Sequence, residues 1–125
     1  MTVTLPNPNR VAAAKRSSAI RFKRCEERRE LRTLPCNEAI NRLIHPTATL
    51  ASFRLGVLLI PSRAEDRPIP GFGRQRFDRA ITMLRWAGCE WAHPDTRLRD
   101  LTLSERRQFA KAVLEVAPTA WKESV

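Results

Sequence analysis

Residues 49–61 read TLASFRLGVLLIP, and the fold class turns on whether this run is a helix or a strand. The segment LGVLLI (55–60) is continuously apolar, and composition alone allows a buried strand there. Its phase argues for helix. Leu50, Phe53, Val57 and Leu58 stand at i, i+3, i+7 and i+8, the spacing of a core-facing stripe. One helix is therefore expected, capped by Thr47 or Thr49 and ended by Pro61. With this run helical, no convincing strand remains in the 125 residues, and the expected class is all-α.

Working outward, Asn37 is the expected N-cap of a short preceding helix, with Glu38 in its first turn and Ile40, Leu43 and Ile44 as its apolar face. Before it, residues 10–32 read RVAAAKRSSAIRFKRCEERRELR, free of proline and glycine. Val11, Ala14, Ser18, Phe22 and Cys25 form a narrow helical stripe there. A long basic helix over 10–34 is expected, much of it solvated, after a flexible tail at 1–9. On the other side, PSRAEDRPIP (61–70) reads as a loop. Phe77, Ile81 and Leu84 mark a helix closed by Gly88. Thr102 and Glu105 form a capping box ahead of a last helix that would bury Leu103, Ala110, Val113, Leu114 and Ala117. Pro118 stops it, leaving a tail at 119–125. The expectation is thus a long basic N-terminal helix followed by a compact four-helix domain over 35–118.

Charge narrows the function. The chain holds 23 Lys and Arg against 13 Asp and Glu, a net charge of +10 and a pI near 11.1. Such a field attracts polyanions. Only Lys15, Lys23, Lys111 and Lys122 are lysines; the rest of the positive charge is arginine, whose planar fork suits phosphates and base edges. A GC-rich genome would enrich arginine over lysine but not bases over acids. No apolar run is long enough to span a membrane, and MTVTLPNPNR is not expected to act as a signal peptide. Three widely spaced cysteines, Cys25, Cys36 and Cys89, argue for a reducing cytoplasm.

Enzyme and metal chemistry lack their residues. His45 and His93 each precede a proline, with no nucleophile or carboxylate pair placed beside them, so no catalytic role is expected. Cys25, Cys36, Cys89 and His93 lack the close cysteine pairs of structural zinc sites, and neither metal nor cofactor is expected. Gly71-Phe72-Gly73 has no third glycine, Arg76 standing in that position, which removes a dinucleotide loop. Two readings of PIPGFGRQRFDR (68–79) stay open. One is a glycine turn between packed helices. The other is a phosphate clamp, in which Gly71, Phe72 and Gly73 bring backbone to the ligand, the next helix offers free N–H groups, and Arg74 and Arg76 add charge. If Leu98 anchors inward, Arg97 and Arg99 point out and can enter a minor groove or bracket a phosphate; two solvated arginines are the alternative. Lys15, Arg16, Arg21, Lys23, Arg24 and Arg28 make the first helix a candidate phosphate-contacting arm. Trp86, Trp91 and Trp121 are expected to be packing residues.

In succession these segments resemble the actinobacterial integration host factor family. RVAAAKRSSAIRFKRCEERREL (10–31) resembles its long first helix, NEAINRL (37–43) its short second helix, and FRLGVLL (53–59) the segment leading to its glycine turn. PGFGRQRFDRAITMLRWAG (70–88) resembles its hairpin, and TRLRDLTLSERRQFAKAVLE (96–115) its final turn and helix. The likeness covers most of residues 10–115, with SRAEDRPI (62–69) as an insertion. Arg74 stands where the family has lysine, Thr96 in place of the first arginine of a pair, and Asp100 in place of a glycine. The resemblance implies a helix–two-turn–helix protein that bends or compacts double-stranded DNA in recombination or transcription, here a divergent or phage-encoded member. Gly73 and Arg74 would hold one strand's backbone, and Arg97 and Arg99 would meet the minor groove. A monomeric, cytoplasmic, nucleoid-associated protein is expected. Structured RNA is the rival partner, and a small phage inhibitor or protein-interaction module is the rival class.

Overall fold

A computed structural model describes residues 23–123. The expected tail at 1–9 and residues 10–22 of the expected basic helix lie outside the described residues. The described elements are helical: α1 over 23–33, α2 (Cys36–Ile44), α3 (Ala48–Ala51), α4 (Leu55–Leu59), α5 (Arg74–Trp86), α6 (Leu103–Val116) and α7 (Thr119–Lys122), with 3-10 turns at Ala64–Asp66 and Leu98–Asp100. Among the described residues there is no strand, only an isolated antiparallel bridge between Arg54 and Arg97.

The fold is organised on α6. Its start is fixed by the expected capping box: the Thr102 hydroxyl accepts from Glu105 N–H at 3.2 Å, and Glu105 Oε1 accepts from Thr102 N–H at 2.8 Å. Phe109, Ala110, Ala112, Val113 and Val116 are its buried face. Leu103 was expected there too but is 38% exposed, since its first-turn position leaves it at the rim of the core. Against α6 lies α5, which buries Phe77, Ala80, Ile81 and Leu84. It closes as expected at Gly88, whose φ of +90° is open to glycine at little cost. Gly88 N–H bonds Arg85 O at 3.0 Å and Cys89 N–H bonds Leu84 O at 2.9 Å, satisfying the final carbonyls. The pair is antiparallel: Arg76, at the start of α5, bonds Val116 O at the end of α6, and Cys89 meets Gln108 in its first half.

On α6 also sits α2, through Cys36, Ala39 and Leu43, with Arg106 Nε bonding Ile44 O at 2.7 Å. Its cap lies two residues before the expected Asn37. Ala39 N–H already bonds Pro35 O at 3.0 Å, so Pro35 is the cap residue and Asn37 falls in the first turn.

The deciding run, 49–61, is helical but not one helix. Thr47 caps α3 by accepting from Leu50 N–H. The chain then breaks at 52–54, because the backbone there pairs elsewhere. Leu98 N–H bonds Phe53 O at 3.0 Å and Leu55 N–H bonds Thr96 O at 2.9 Å. Restarting as α4 rotates the later residues: Leu55, Leu58 and Leu59 are fully buried, whereas Val57, expected in the core, is 45% exposed. Fully burying each such leucine contributes roughly 1.5–3 kcal/mol, enough to outweigh the broken helix.

The proline-rich loop is packed rather than loose. Pro61, Asp66, Pro68, Ile69 and Phe72 are buried, and α1 grips it: Arg29 Nε donates to Asp66 at 2.7 Å and Arg32 donates to the carbonyls of Ala64 and Glu65. Among its described residues α1 docks through Arg28 and Leu31, which are buried; of the expected stripe only Cys25 is described, and it is half-buried. At the other terminus, 119–122 is not a tail; α7 follows Pro118 and buries Trp121.

Candidate nucleic-acid interface

The turn entering α5 is built by Pro70 and Gly71. Phe72 N–H bonds Ile69 O at 3.1 Å, and Gly71 takes φ +78°, the positive φ a type II turn requires at that place. A side chain on Gly71 would also meet Pro118 Cγ at 3.1 Å. Phe72 is fully buried, so the ring belongs to the core and not to an exposed clamp; once the type II turn points Gly71 outward, the next residue is drawn inward. Gly73 is extended, with φ −115°, and a Cβ there would lie 3.8 Å from Arg67. Neither positive φ nor crowding requires glycine at 73.

Gly73 is the N-cap of α5 and offers no side-chain cap, and no acid stands in the first turn. The first N–H groups of α5 thus receive no side-chain cap and stand in the positive field of the helix dipole, which favours anions in general. Arg74 stands beside them with a side chain 79% exposed, loosely paired with Asp78 at 3.8 Å. Such a surface pair contributes little and yields readily to a phosphate. Arg76 is committed differently, its Nη1 donating to Val116 O at 2.7 Å and capping the end of α6. Arg67, in the loop, adds a guanidinium near Gly73, and its Nε is buried without a partner among the described residues.

Leu98 is fully buried, as the anchor reading expected, and Arg99 is exposed. Arg97 is half-buried and tied down, Nη1 donating to Ser52 O at 2.7 Å. It lies at the end of α6 opposite to Arg74 and Arg76. A 14-residue helix rises about 20 Å, so the two basic turns are separate patches.

What joins Arg97 instead is α1. Arg24 lies over the Phe53 ring at 4.2 Å and Arg28 at 5.3 Å. Arg28 is only 7% exposed, bonding Val57 O at 3.2 Å. It was expected on a solvated arm, but the narrow stripe of α1 has too few apolar residues, and the arginine stem fills the gap. Burial holds Arg24 below the usual arginine range, and the charges of Arg97 and Arg28 lower it further. Lys23 is exposed; Lys15, Arg16 and Arg21 lie outside the described residues.

Trp121 is buried and Trp91 packs half-buried on the core, but Trp86 is 85% exposed. Its position was legible: nine residues beyond Phe77, it stands about half a turn around from the buried face. Phe53 is buried as its place in the apolar stripe predicts, but its meeting with Arg24 and the placing of Arg67 carry no such signal, because tertiary pairing sets them. Among the described residues, no group of three or more His, Cys, Asp and Glu side chains is placed to hold a metal ion, and no helix is long and apolar enough to cross a membrane.

No protein-family model, no curated protein and no solved structure matches the chain.

Proposed function

We infer that this chain is a non-enzymatic, architectural DNA-binding protein of the actinobacterial integration host factor type. It contacts phosphates and the minor groove of duplex DNA with little sequence preference, and it bends or compacts the duplex in recombination or transcription. The observation that carries the reading is the charge imbalance of 23 Lys and Arg against 13 Asp and Glu. A surplus of that size favours a polyanion, and the release of condensed counterions would drive the association. The uncapped start of α5 with Arg74 is a receptor for one strand's backbone. Arg99 is the free arginine at the second turn.

In this reading the basic arm, the helix–two-turn–helix domain and the two basic turns act as one monomeric, nucleoid-associated module. Two turns about 20 Å apart span several base pairs, which suits a protein that holds a duplex at two places and fixes its curvature. Arg74→Gln and Arg99→Gln test it. Each removes an exposed charge without touching the core, and each should weaken duplex binding and flatten the log–log salt slope by about one. Slopes unchanged in both variants would remove these residues from the interface.

Structured RNA is a second reading, favoured by one observation. Trp86 is 85% exposed at the end of α5, and an exposed ring flanked by Arg85 is a platform for unpaired bases. A competition in which structured RNA displaces duplex at equal concentration, and Trp86→Ala abolishes the advantage, would favour RNA.

A further inference from the structure

Arg24, Arg28 and Arg97 reach one place from two parts of the chain. Phe53 marks it: Arg24 stands 4.2 Å and Arg28 5.3 Å from its ring centre, and Arg97 is held by the carbonyl of Ser52 next to it. Arg54 pairs with Arg97 through the backbone. Three guanidiniums are thus gathered where α1 crosses the break between α3 and α4.

No ion pair among the described residues includes one of them: the pairs there are Arg29–Asp66, Arg74–Asp78 and His93–Asp95. The carboxylate whose field reaches Arg28, that of Asp66, is held by Arg29. Glu27, the acid nearest in sequence, gives its carboxylate to the Thr47 hydroxyl at 2.6 Å. Arg28 is 93% buried, and its Nε has no hydrogen-bond partner; nor does the buried Nε of Arg24. A ring face softens the cost of burying a cation, but it does not satisfy N–H donors as an oxygen does. Other donors of the group are held by neutral atoms, Arg28 by Val57 O and Cys25 Sγ and Arg97 by Ser52 O, so like charges with unsatisfied Nε donors favour an anion that completes them.

We propose that Arg24, Arg28 and Arg97 form a discrete site for a single phosphate group beside Phe53, and that its occupation fastens α1 to the turn between α3 and α4. A tetrahedral oxyanion fits better than a carboxylate, because planar forks arriving from different elements each need their own oxygen. The phosphate can come from a nucleic-acid backbone, for which the site rests on the function inferred above, or from free phosphate. The chemistry of the site is the same for both.

The test uses the full chain and inorganic phosphate at low millimolar concentrations, with ionic strength held constant by sodium chloride. Melting temperature and amide exchange in α1 are followed. The expected result is a saturable rise in Tm of about 5 °C at ten times the Kd, with slower exchange in α1. Arg24→Gln should abolish both responses without lowering the phosphate-free Tm, because it relieves repulsion. Arg107→Gln, an exposed residue elsewhere on α6, should respond as the unmodified chain does. A wild-type chain with no saturable rise, or an Arg24→Gln variant that rises equally, would overturn the site. Arg97→Gln adds a second variant, and Arg24→Gln decides alone if loss of the Ser52 bond unfolds it. Duplex binding of Arg24→Gln identifies the source: weakened binding assigns the site to the backbone, unchanged binding assigns it to free phosphate. A chain that binds no duplex but responds to phosphate retains this site and loses the DNA function.

Discussion

Gly71 and Gly73 look equivalent in the sequence and are not. Gly71 carries φ +78° and backs onto Pro118 at 3.1 Å; Gly73 has an ordinary extended backbone with room beside it. Gly71→Ala should therefore cost about 1–2 kcal/mol from the left-handed backbone alone, while Gly73→Ala should cost less, roughly 0.5–1 kcal/mol, because alanine caps a helix start less well than glycine; urea melts of both check this. Asp66 gives a prediction in pH. The hydrogen bond from Arg29 holds its carboxyl below the usual range, against the opposing effect of burial. A group whose folded pKa is depressed contributes stability that is present above the unfolded value, near 3.9, and lost as pH falls through the lower folded value. Wild-type Tm should thus fall on acidification below about pH 4, and Asp66→Asn should lower Tm at neutral pH but converge with wild type in acid. A constant offset at every pH would contradict this.

At the scale of elements, what was legible in the sequence is what local chemistry decides. The Thr102–Glu105 box, the Thr47 cap, the Gly88 closure and the Phe77–Ile81–Leu84 face all depend on residues within one or two turns of each other, and all are present. Thr102→Ala should cost about 1 kcal/mol by removing one of the two capping bonds, readable as a lower urea midpoint with unchanged slope. The break at 52–54 was illegible for the opposite reason. Its backbone partners, Thr96 and Leu98, lie more than forty residues away, and no local pattern announces a pairing at that distance. The same pairing brings Arg97 to α1, so the site at Phe53 is not readable from spacing, and Arg28, expected on a phosphate-contacting arm, is buried there. Trp86 differs: its outward phase was present in the sequence, and only the general preference of tryptophan for burial argued against it.

For the whole molecule, the proposed polyanionic partner rests on net charge, and the fold distributes that charge. Arginines gather at two ends of α6, one patch at the uncapped start of α5 and the other at the crossing of α1 with the α3–α4 break. The central claim is a mainly electrostatic grip on a duplex backbone, indifferent to sequence. The measurement that tests it most directly is the affinity of the full chain for several unrelated duplexes across a salt series. The expected result is the same steep, linear fall of log affinity with log salt for every duplex. Failure to bind any duplex at the lowest salt, or tight binding to one sequence that barely weakens as salt rises, would contradict it.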